Sequence, residues 1–257
     1  MLPTLLALDF DGVICDGLIE YFATTKKTYH KIWQEDSETI TDGFAEVFSQ
    51  LRPVIETGWE MPVLLRSLVR GITPETVLSQ WHLIREQIIT QENLDKNLLS
   101  KTLDSTRDDW IKNDLDDWLS LHRFYPGVVD KLQQIINSDC HFYIVTTKEG
   151  RFVKQLLEKQ GIDLPANNII GKESKRPKYE TLRLLRGKIP ASDISIWFME
   201  DRLKTLELVK QQSDLSEVQL FLADWGYNTE LERKKAQQDP LIQLISLEQF
   251  TNANSSN

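Results

Sequence analysis

The fold is decided near the start of the chain, where residues 5 to 16 read Leu5-Leu6-Ala7-Leu8-Asp9-Phe10-Asp11-Gly12-Val13-Ile14-Cys15-Asp16. The first four residues are apolar, which is typical of a strand buried on both faces of a parallel sheet. Two aspartates follow with one residue between them, and because strand side chains alternate, Asp9 and Asp11 can point to the same side. Gly12 then lets the chain turn away. The stretch predicts paired carboxylates at the carboxyl end of a buried strand.

Paired carboxylates at this position indicate a ligand site, because open α/β sheets bind ligands beyond the carboxyl ends of their strands. The two negative charges repel each other unless a divalent cation or a shared proton relieves the repulsion. An alternative interpretation is a strand followed by an ordinary polar turn, since Asp and Gly are common turn residues.

The sequence Asp-Phe-Asp-Gly-Val after four apolar residues resembles the first motif of the haloacid dehalogenase-like superfamily. The resemblance implies that Asp9 is a nucleophile and Asp11 a general acid and base. Dehalogenases of that superfamily lack the second aspartate, so Asp11 favours phosphoryl chemistry.

The composition narrows the class of protein. With 257 residues, the chain can form one large domain or a core with a smaller second unit. Its net charge of −9 makes it a poor general binder of nucleic acid or of an anionic membrane. No signal pattern or apolar run of membrane length is present, so we expect a cytoplasmic protein. Cys15 and Cys140 predict neither a disulfide framework nor a zinc site, and Cys15 is interpreted as a small apolar filler.

Apolar spacing divides the chain into a helical segment and an alternating one. Residues 17–122 repeat apolar side chains at intervals of three and four, which predicts helices. Five of the chain's seven tryptophans fall in this segment and are interpreted as packing residues. After the turn at Pro126-Gly127, strands alternate with helices, which predicts βαβ units. The predicted later strands are His141–Thr146, Ile169–Gly171, Ile194–Met199 and Val218–Ala223.

This pattern predicts an α/β fold, a Rossmann-like parallel sheet with helices on both faces, and an inserted all-helical cap. The predicted core comprises residues 1–16 and 123–250, the cap residues 17–122, and a disordered tail residues 251–257. Because the cap would emerge just beyond Asp11, we expect it to act as a lid over the site.

A hydroxyl group follows the second predicted strand. Ile144-Val145-Thr146 resembles the second motif of the superfamily, whose hydroxyl binds the transferring phosphoryl group. The resemblance implies this role for Thr146, with Thr147 as the near alternative. Either threonine could instead cap the following helix.

A basic segment precedes the next predicted helix. It reads Lys172-Glu173-Ser174-Lys175-Arg176-Pro177-Lys178, and its place resembles that of the third motif, which contributes a phosphate-binding lysine. We predict Lys178 in this role because it opens an amphipathic turn. Lys175 is the second candidate, and Arg176 stands where a Lys-Pro version of the motif would have its lysine. A solvated basic loop is the alternative interpretation.

The fourth predicted strand ends in Glu200-Asp201, which resembles the fourth motif. The superfamily usually has Gly-Asp or Asp-Asp here and another aspartate about one helical turn later. This chain lacks the later acid, and Thr205 and Leu206 stand near its place. Asp201 is therefore the main predicted metal ligand, with Glu200 acting through a water or orienting its neighbours, and metal affinity is expected to be lower.

The resemblance implies a Mg²⁺-dependent phosphatase that hydrolyses a small phosphate monoester through an aspartyl-phosphate. Two further stretches, Tyr125–Val128 and Ala223–Asn228, resemble phosphoglycolate phosphatase-like members with a helical cap. The implied site residues are Asp9 and Asp11 for catalysis, Thr146, Thr147, Lys175 and Lys178 for phosphate, and Asp9, Asp11, Glu200 and Asp201 for the metal. The expected partner is a small phosphorylated metabolite, not nucleic acid or a membrane. A non-catalytic phosphometabolite-binding or regulatory protein and a phosphomutase are the alternatives.

Overall fold

A computed structural model of the chain describes residues 2–34, 40, 43–189 and 195–252. The chain divides into two compact units, Met1–Asp16 with Arg123–Asn257, and Gly17–His122. We call the first the core unit and the second the helical unit, and each is described by itself.

The core unit contains the strands of the described residues. In chain order they are β1 (Leu5–Leu8), β2 (Cys15–Asp16), β3 (Arg123–Phe124), β4 (His141–Val145), β5 (Ile169–Ile170), β6 (Ile196–Glu200), β7 (Val218–Ala223) and β8 (Ile242–Ile245). Six of them form a parallel sheet in the order β5-β4-β1-β6-β7-β8. The other two, β2 and β3, pair antiparallel at the points where the chain leaves and re-enters the unit.

Twelve α-helices are found among the described residues. Those of the helical unit are α1 (Leu18–Trp33), α2 (Gly43–Leu51), α3 (Glu60–Val69), α4 (Pro74–Gln91), α5 (Lys96–Asn113) and α6 (Leu115–Ser120). Those of the core unit are α7 (Val128–Ile136), α8 (Gly150–Lys159), α9 (Lys178–Arg186), α10 (Leu203–Lys210), α11 (Glu230–Gln238) and α12 (Leu247–Asn252). Within the described ranges, none of these helices has the length and apolar character needed to cross a membrane.

The apolar run that opens the chain lies in the middle of the sheet. All four residues of β1 are buried, and the strand pairs with β4 on one side and β6 on the other. Leu5 and Ala7 belong to a core cluster with apolar residues of α9 and α10, while Leu6 and Leu8 are buried on the opposite face. The predicted α/β fold with a buried parallel first strand is therefore confirmed.

The structure differs from the sequence predictions in several places. Residues 251 and 252, predicted to be disordered, belong to α12, where Phe250 is buried and anchors the last turn; residues 253–257 lie outside the described residues. The strand predicted from Ile194 begins at Ile196 and includes Glu200, and residue 194 lies outside the described residues. The elements α11, β8, β2 and β3 were not predicted from the sequence. Of these, β2 and β3 have only two residues each, which is too short to show a period.

Buried glutamates join the helices of the helical unit. Glu20 of α1 accepts hydrogen bonds from Arg107 Nε of α5 at 2.8 Å and Trp118 Nε1 of α6 at 3.0 Å. Burial opposes the charge of Arg107, but the Glu20 carboxylate outweighs it and raises the arginine's pKa. Two further glutamates have partners of the same two kinds, a tryptophan indole N–H and an arginine. Glu60 contacts Trp81 and Arg85, and Glu92 contacts Trp33 and Arg66. The tryptophans therefore supply hydrogen bonds as well as packing area.

One buried cation in the core unit has no compensation. Lys131 of α7 is 2% exposed, and its Nζ has no hydrogen-bond partner in the part of the chain that the structure describes. Burial therefore lowers its pKa from the ordinary 10.5. An unpaired buried ammonium destabilises the folded state.

We expect Glu20→Ala to lower the free energy of unfolding by about 3 kcal/mol, because it leaves Arg107 with an uncompensated charge. The matched control is Glu86→Ala, since Glu86 and its partner Lys96 are both exposed and such pairs contribute about 0–1 kcal/mol. Denaturant unfolding followed by tryptophan fluorescence measures both. Equal losses in the two variants would contradict this account.

We expect Lys131→Met to raise the free energy of unfolding by roughly 1–3 kcal/mol at pH 7, because it removes an unsatisfied buried charge. The unfolded chain holds the Lys131 proton more tightly than the folded chain, so the wild-type deficit should shrink as the pH rises toward 10.5. Urea unfolding at pH 7 and pH 10 tests both points. Lys188→Met, at an exposed position, is the control and should give no gain.

Candidate active site

The side-chain alternation of two neighbouring strands brings carboxylates to one face at the end of the sheet. Asp9 N–H donates to Met199 O at 2.9 Å, so the pairing of β1 with β6 continues past Leu8. Asp9 follows Leu5 and Ala7 in the period of two, and Glu200 follows Ile196 and Phe198. The four apolar residues all belong to the cluster that packs against α9 and α10. Both acids are therefore directed toward the face that α9 covers.

The first residue of α9 is the basic partner of these two acids. Lys178 Nζ lies 2.8 Å from Asp9 Oδ1 and donates a hydrogen bond of 2.8 Å to Glu200 Oε2. Burial opposes the charge on Lys178, but the charges of Asp9 and Glu200 outweigh it and raise the lysine's pKa. Burial raises the pKa of Glu200 well above its ordinary value, the charge of Asp9 adds to the rise, and Lys178 offsets part of it. Negative charge in this cluster is thus only partly compensated.

Asp201 is held from the other side by the loop after β7. Its Oδ2 accepts the Tyr227 N–H at 2.8 Å, and its backbone oxygen accepts from Asn228 Nδ2 at 2.9 Å. Two glycines make this approach possible: a Cβ on Gly12, whose φ is +88°, would lie 2.3 Å from Asp201 Oδ2, and a Cβ on Gly226 would lie 2.3 Å from Asp201 Cβ. Both positions therefore require glycine for steric reasons.

Asp9, Glu200 and Asp201 form a buried acidic cluster that fits a divalent cation. One carboxylate oxygen of each lies within 4.8 Å of the others. Asp9 Oδ1 is buried and, although Lys178 Nζ is near, it accepts no hydrogen bond of good geometry from the described residues. The set consists of hard oxygen donors, which Mg²⁺ prefers, and a dication would balance the charge that Lys178 leaves. These three residues could hold the ion.

Asp11 lies outside this cluster and has a different partner. Lys148 Nζ donates hydrogen bonds of 3.1 and 3.3 Å to the two oxygens of the Asp11 carboxylate, and both side chains are mostly buried. The predicted contribution of Asp11 to the metal site stays a prediction. Lys148 was not among the site residues predicted from the sequence. Its position in the turn after β4, the strand next to β1, could have indicated that its side chain lies near Asp11.

The two threonines after β4 differ in exposure. Thr146 is buried and its hydroxyl accepts the Lys148 N–H at 3.1 Å, whereas Thr147 is exposed. Neither caps α8, because the N-cap position is Glu149. The helix-cap interpretation is therefore wrong for both residues. Thr146 is left with a buried hydroxyl at a strand end beside the Lys148–Asp11 pair.

The basic segment separates into one buried and several exposed side chains. Lys178 reaches the acidic cluster, while Lys175 and Arg176 are exposed and contact none of its carboxylates. Lys178 lies in the first turn of α9, on the face of Thr181 and Leu182, which are buried, whereas Lys175 and Arg176 precede the helix.

Other residues of the first stretch support the site. Trp225 Nε1 donates to Val13 O at 3.1 Å, and Tyr227 Oη donates to Asp16 Oδ1 at 2.9 Å. Cys15 is fully buried, and burial together with the nearby Asp11 charge raises the pKa of its thiol. An un-ionised buried thiol is unreactive and agrees with its interpretation as an apolar filler.

Comparisons with known proteins were informative only at the level of three-dimensional structure. No protein-family model matches the chain, and no curated protein matches its sequence.

Several solved structures match nearly the whole chain. A predicted phosphatase from Clostridium acetobutylicum is 17% identical, with a TM-score of 0.59 over 100% of both chains. A predicted phosphoglycolate phosphatase from Haemophilus somnus is 15% identical, with a TM-score of 0.60 over 98% of this chain and 96% of that one. A haloacid dehalogenase-like family hydrolase from Streptococcus pneumoniae is 13% identical, with a TM-score of 0.57 over 94% and 93%. At such identities the likeness establishes the fold, and the chain therefore has the fold of the haloacid dehalogenase-like hydrolases.

Proposed function

We propose that the protein is a Mg²⁺-dependent phosphatase that hydrolyses a small phosphate monoester. The observation that carries this proposal is the buried cluster of Asp9, Glu200 and Asp201 with the Lys178 ammonium among them. A cluster of this kind combines a carboxylate nucleophile with cationic groups that offset phosphoryl charge. Two solved structures with this fold are described as predicted phosphatases, which supports the same reaction class.

In the proposed reaction Asp9 is the nucleophile. Its carboxylate oxygen attacks phosphorus, the bond from phosphorus to the leaving oxygen breaks, and Asp11 gives a proton to the departing alcohol. Asp11 then takes a proton from water, which attacks phosphorus and releases inorganic phosphate from Asp9. The Lys148 contact orients the Asp11 carboxylate between these two steps.

The remaining residues bind and orient the phosphoryl group. Lys178 and Thr146 would donate hydrogen bonds to its oxygens, and Thr147 is an alternative donor at the same turn. Asp9, Glu200 and Asp201 would hold the Mg²⁺, which offsets the negative charge of the phosphoryl oxygens. That the helical unit acts as a lid stays a prediction.

We expect Asp9→Asn to abolish release of phosphate from para-nitrophenyl phosphate, by a factor of about 10³ or more, because an amide cannot act as the nucleophile. Circular dichroism should show that the variant is folded, since Lys178 keeps its Glu200 partner. Asp214→Asn, at an exposed position paired with Arg183, is the control and should retain activity. Normal turnover by Asp9→Asn would refute the proposed nucleophile.

We expect a chelator to remove the activity and Mg²⁺ to restore it. Asp201→Asn should raise the Mg²⁺ concentration needed for half-maximal activity by roughly tenfold or more, because a neutral amide is a weaker ligand than a carboxylate. Calorimetric titration of Mg²⁺ should show the same weakening without substrate. Glu217→Gln is the control, since Glu217 pairs with Arg186 outside the cluster.

Activity that survives complete chelation would contradict the metal dependence. A chain that binds phosphorylated compounds but releases no phosphate from any of them would instead favour the non-catalytic binding protein.

A further inference from the structure

A cavity of about 250 Å³ in the core unit is lined by Thr146, Lys178 and part of the basic segment. The segment contributes Lys172, Ser174, Lys175 and Arg176 to the lining. The proposed reaction uses Thr146 and Lys178 but none of these four residues. The cavity therefore joins the proposed phosphoryl site to polar and cationic groups that have no role in it.

The three exposed cations of this lining are uncompensated. Within the described ranges of the chain, Lys172, Lys175 and Arg176 form no ion pair. Elsewhere on the core unit, several basic side chains have carboxylate partners: Lys154 pairs with Asp163, Arg183 with Asp214, and Lys210 with Asp239. In a chain with 39 acidic and 30 basic residues, three adjacent cations without carboxylates make this cavity a positive region.

The acidic residue of the basic segment is turned to another partner. Glu173 does not line the cavity, and its Oε2 accepts the Gly150 N–H at the start of α8 at 3.2 Å. It therefore leaves the cations of the segment available to an anion.

Lys175 is held in an unfavourable backbone conformation. Its φ is +50° and ψ is +32°, the left-handed region that glycine and asparagine adopt more readily than lysine. Lys175 lies between the short 3-10 turn Lys172–Ser174 and the pair Arg176-Pro177. A strained non-glycine residue that lines a polar cavity is a reason to look for a ligand contact.

We propose that this cavity binds a second phosphoryl group of the substrate, so that the natural substrate is a small bisphosphorylated compound. Three cations and the Ser174 hydroxyl suit a phosphate dianion better than a single carboxylate, because a dianion offers more charge and more acceptor oxygens. The first phosphoryl group would be bound at Thr146 and Lys178. The inference rests on the proposed function for that first site.

The test compares substrates that differ only in the second phosphate. Alkanediol bisphosphates with chains of two to six carbons are compared with the ω-hydroxyalkyl monophosphates of the same lengths. We expect at least one bisphosphate to have a KM roughly tenfold lower than its matched monophosphate, the effect of about one charge-assisted hydrogen bond.

The double variant Lys172→Gln with Arg176→Gln should raise KM for that bisphosphate about tenfold and leave the monophosphate unchanged. Both replaced side chains are exposed, so the variant should melt no lower than the wild type. The matched control removes two exposed charges outside the cavity, with Lys188→Gln and Lys235→Gln, and should change neither KM.

Equal KM values for the two phosphate series at every chain length, or equal losses for both series in the double variant, would overturn the second phosphate site. Failure of the phosphatase proposal has a different signature, because para-nitrophenyl phosphate would then not be hydrolysed by the wild type. In that case calorimetric binding of the same bisphosphate and monophosphate pairs to the full chain makes the comparison without turnover. A preference for the bisphosphate that the double variant loses supports the site, and its absence overturns it.

Discussion

The contact between Lys178 and the two acids at the ends of β1 and β6 is the constraint on which the rest of the site depends. Burying Asp9 and Glu200 together would be costly without a cation, and Lys178 supplies one at 2.8 Å from each. The ammonium can reach both because the two acids continue the apolar face that packs against α9. Packing in the core of the sheet thus determines where the first residue of α9 lies, and with it the electrostatics of the site.

The Lys178 contact does not complete the charge balance. A third carboxylate, Asp201, lies in the same cluster, and the raised pKa of Glu200 reflects burial and the charge of Asp9. Close approach of the loop after β7, which only glycine at positions 12 and 226 permits, keeps Asp201 in this place. The cluster is held together by backbone geometry against its own repulsion, and a cation would relieve that repulsion.

The helical unit uses buried charge in another way. Glu20, Glu60 and Glu92 each accept a hydrogen bond from an indole N–H and form an ion pair with an arginine of another helix or segment. Glu20 and Glu92 therefore connect segments that are distant in sequence, and Glu60 connects the consecutive helices α3 and α4. Periodicity alone predicted that these tryptophans pack between helices. It carried no information on the hydrogen bonds, because their partners are up to 98 residues apart.

The sequence by itself determined the fold class, since short continuous apolar runs that alternate with helical repeats have few stable arrangements other than a parallel sheet with helices. It also indicated the acids at the ends of β1 and β6, because strand ends are visible where apolar runs stop. Only the tertiary structure decided which basic residue meets those acids: Lys178 and Lys175 are three residues apart, and the packing of α9 buries one and leaves the other exposed. It also revealed Lys148 as the partner of Asp11, a contact across 137 residues that no local pattern specifies.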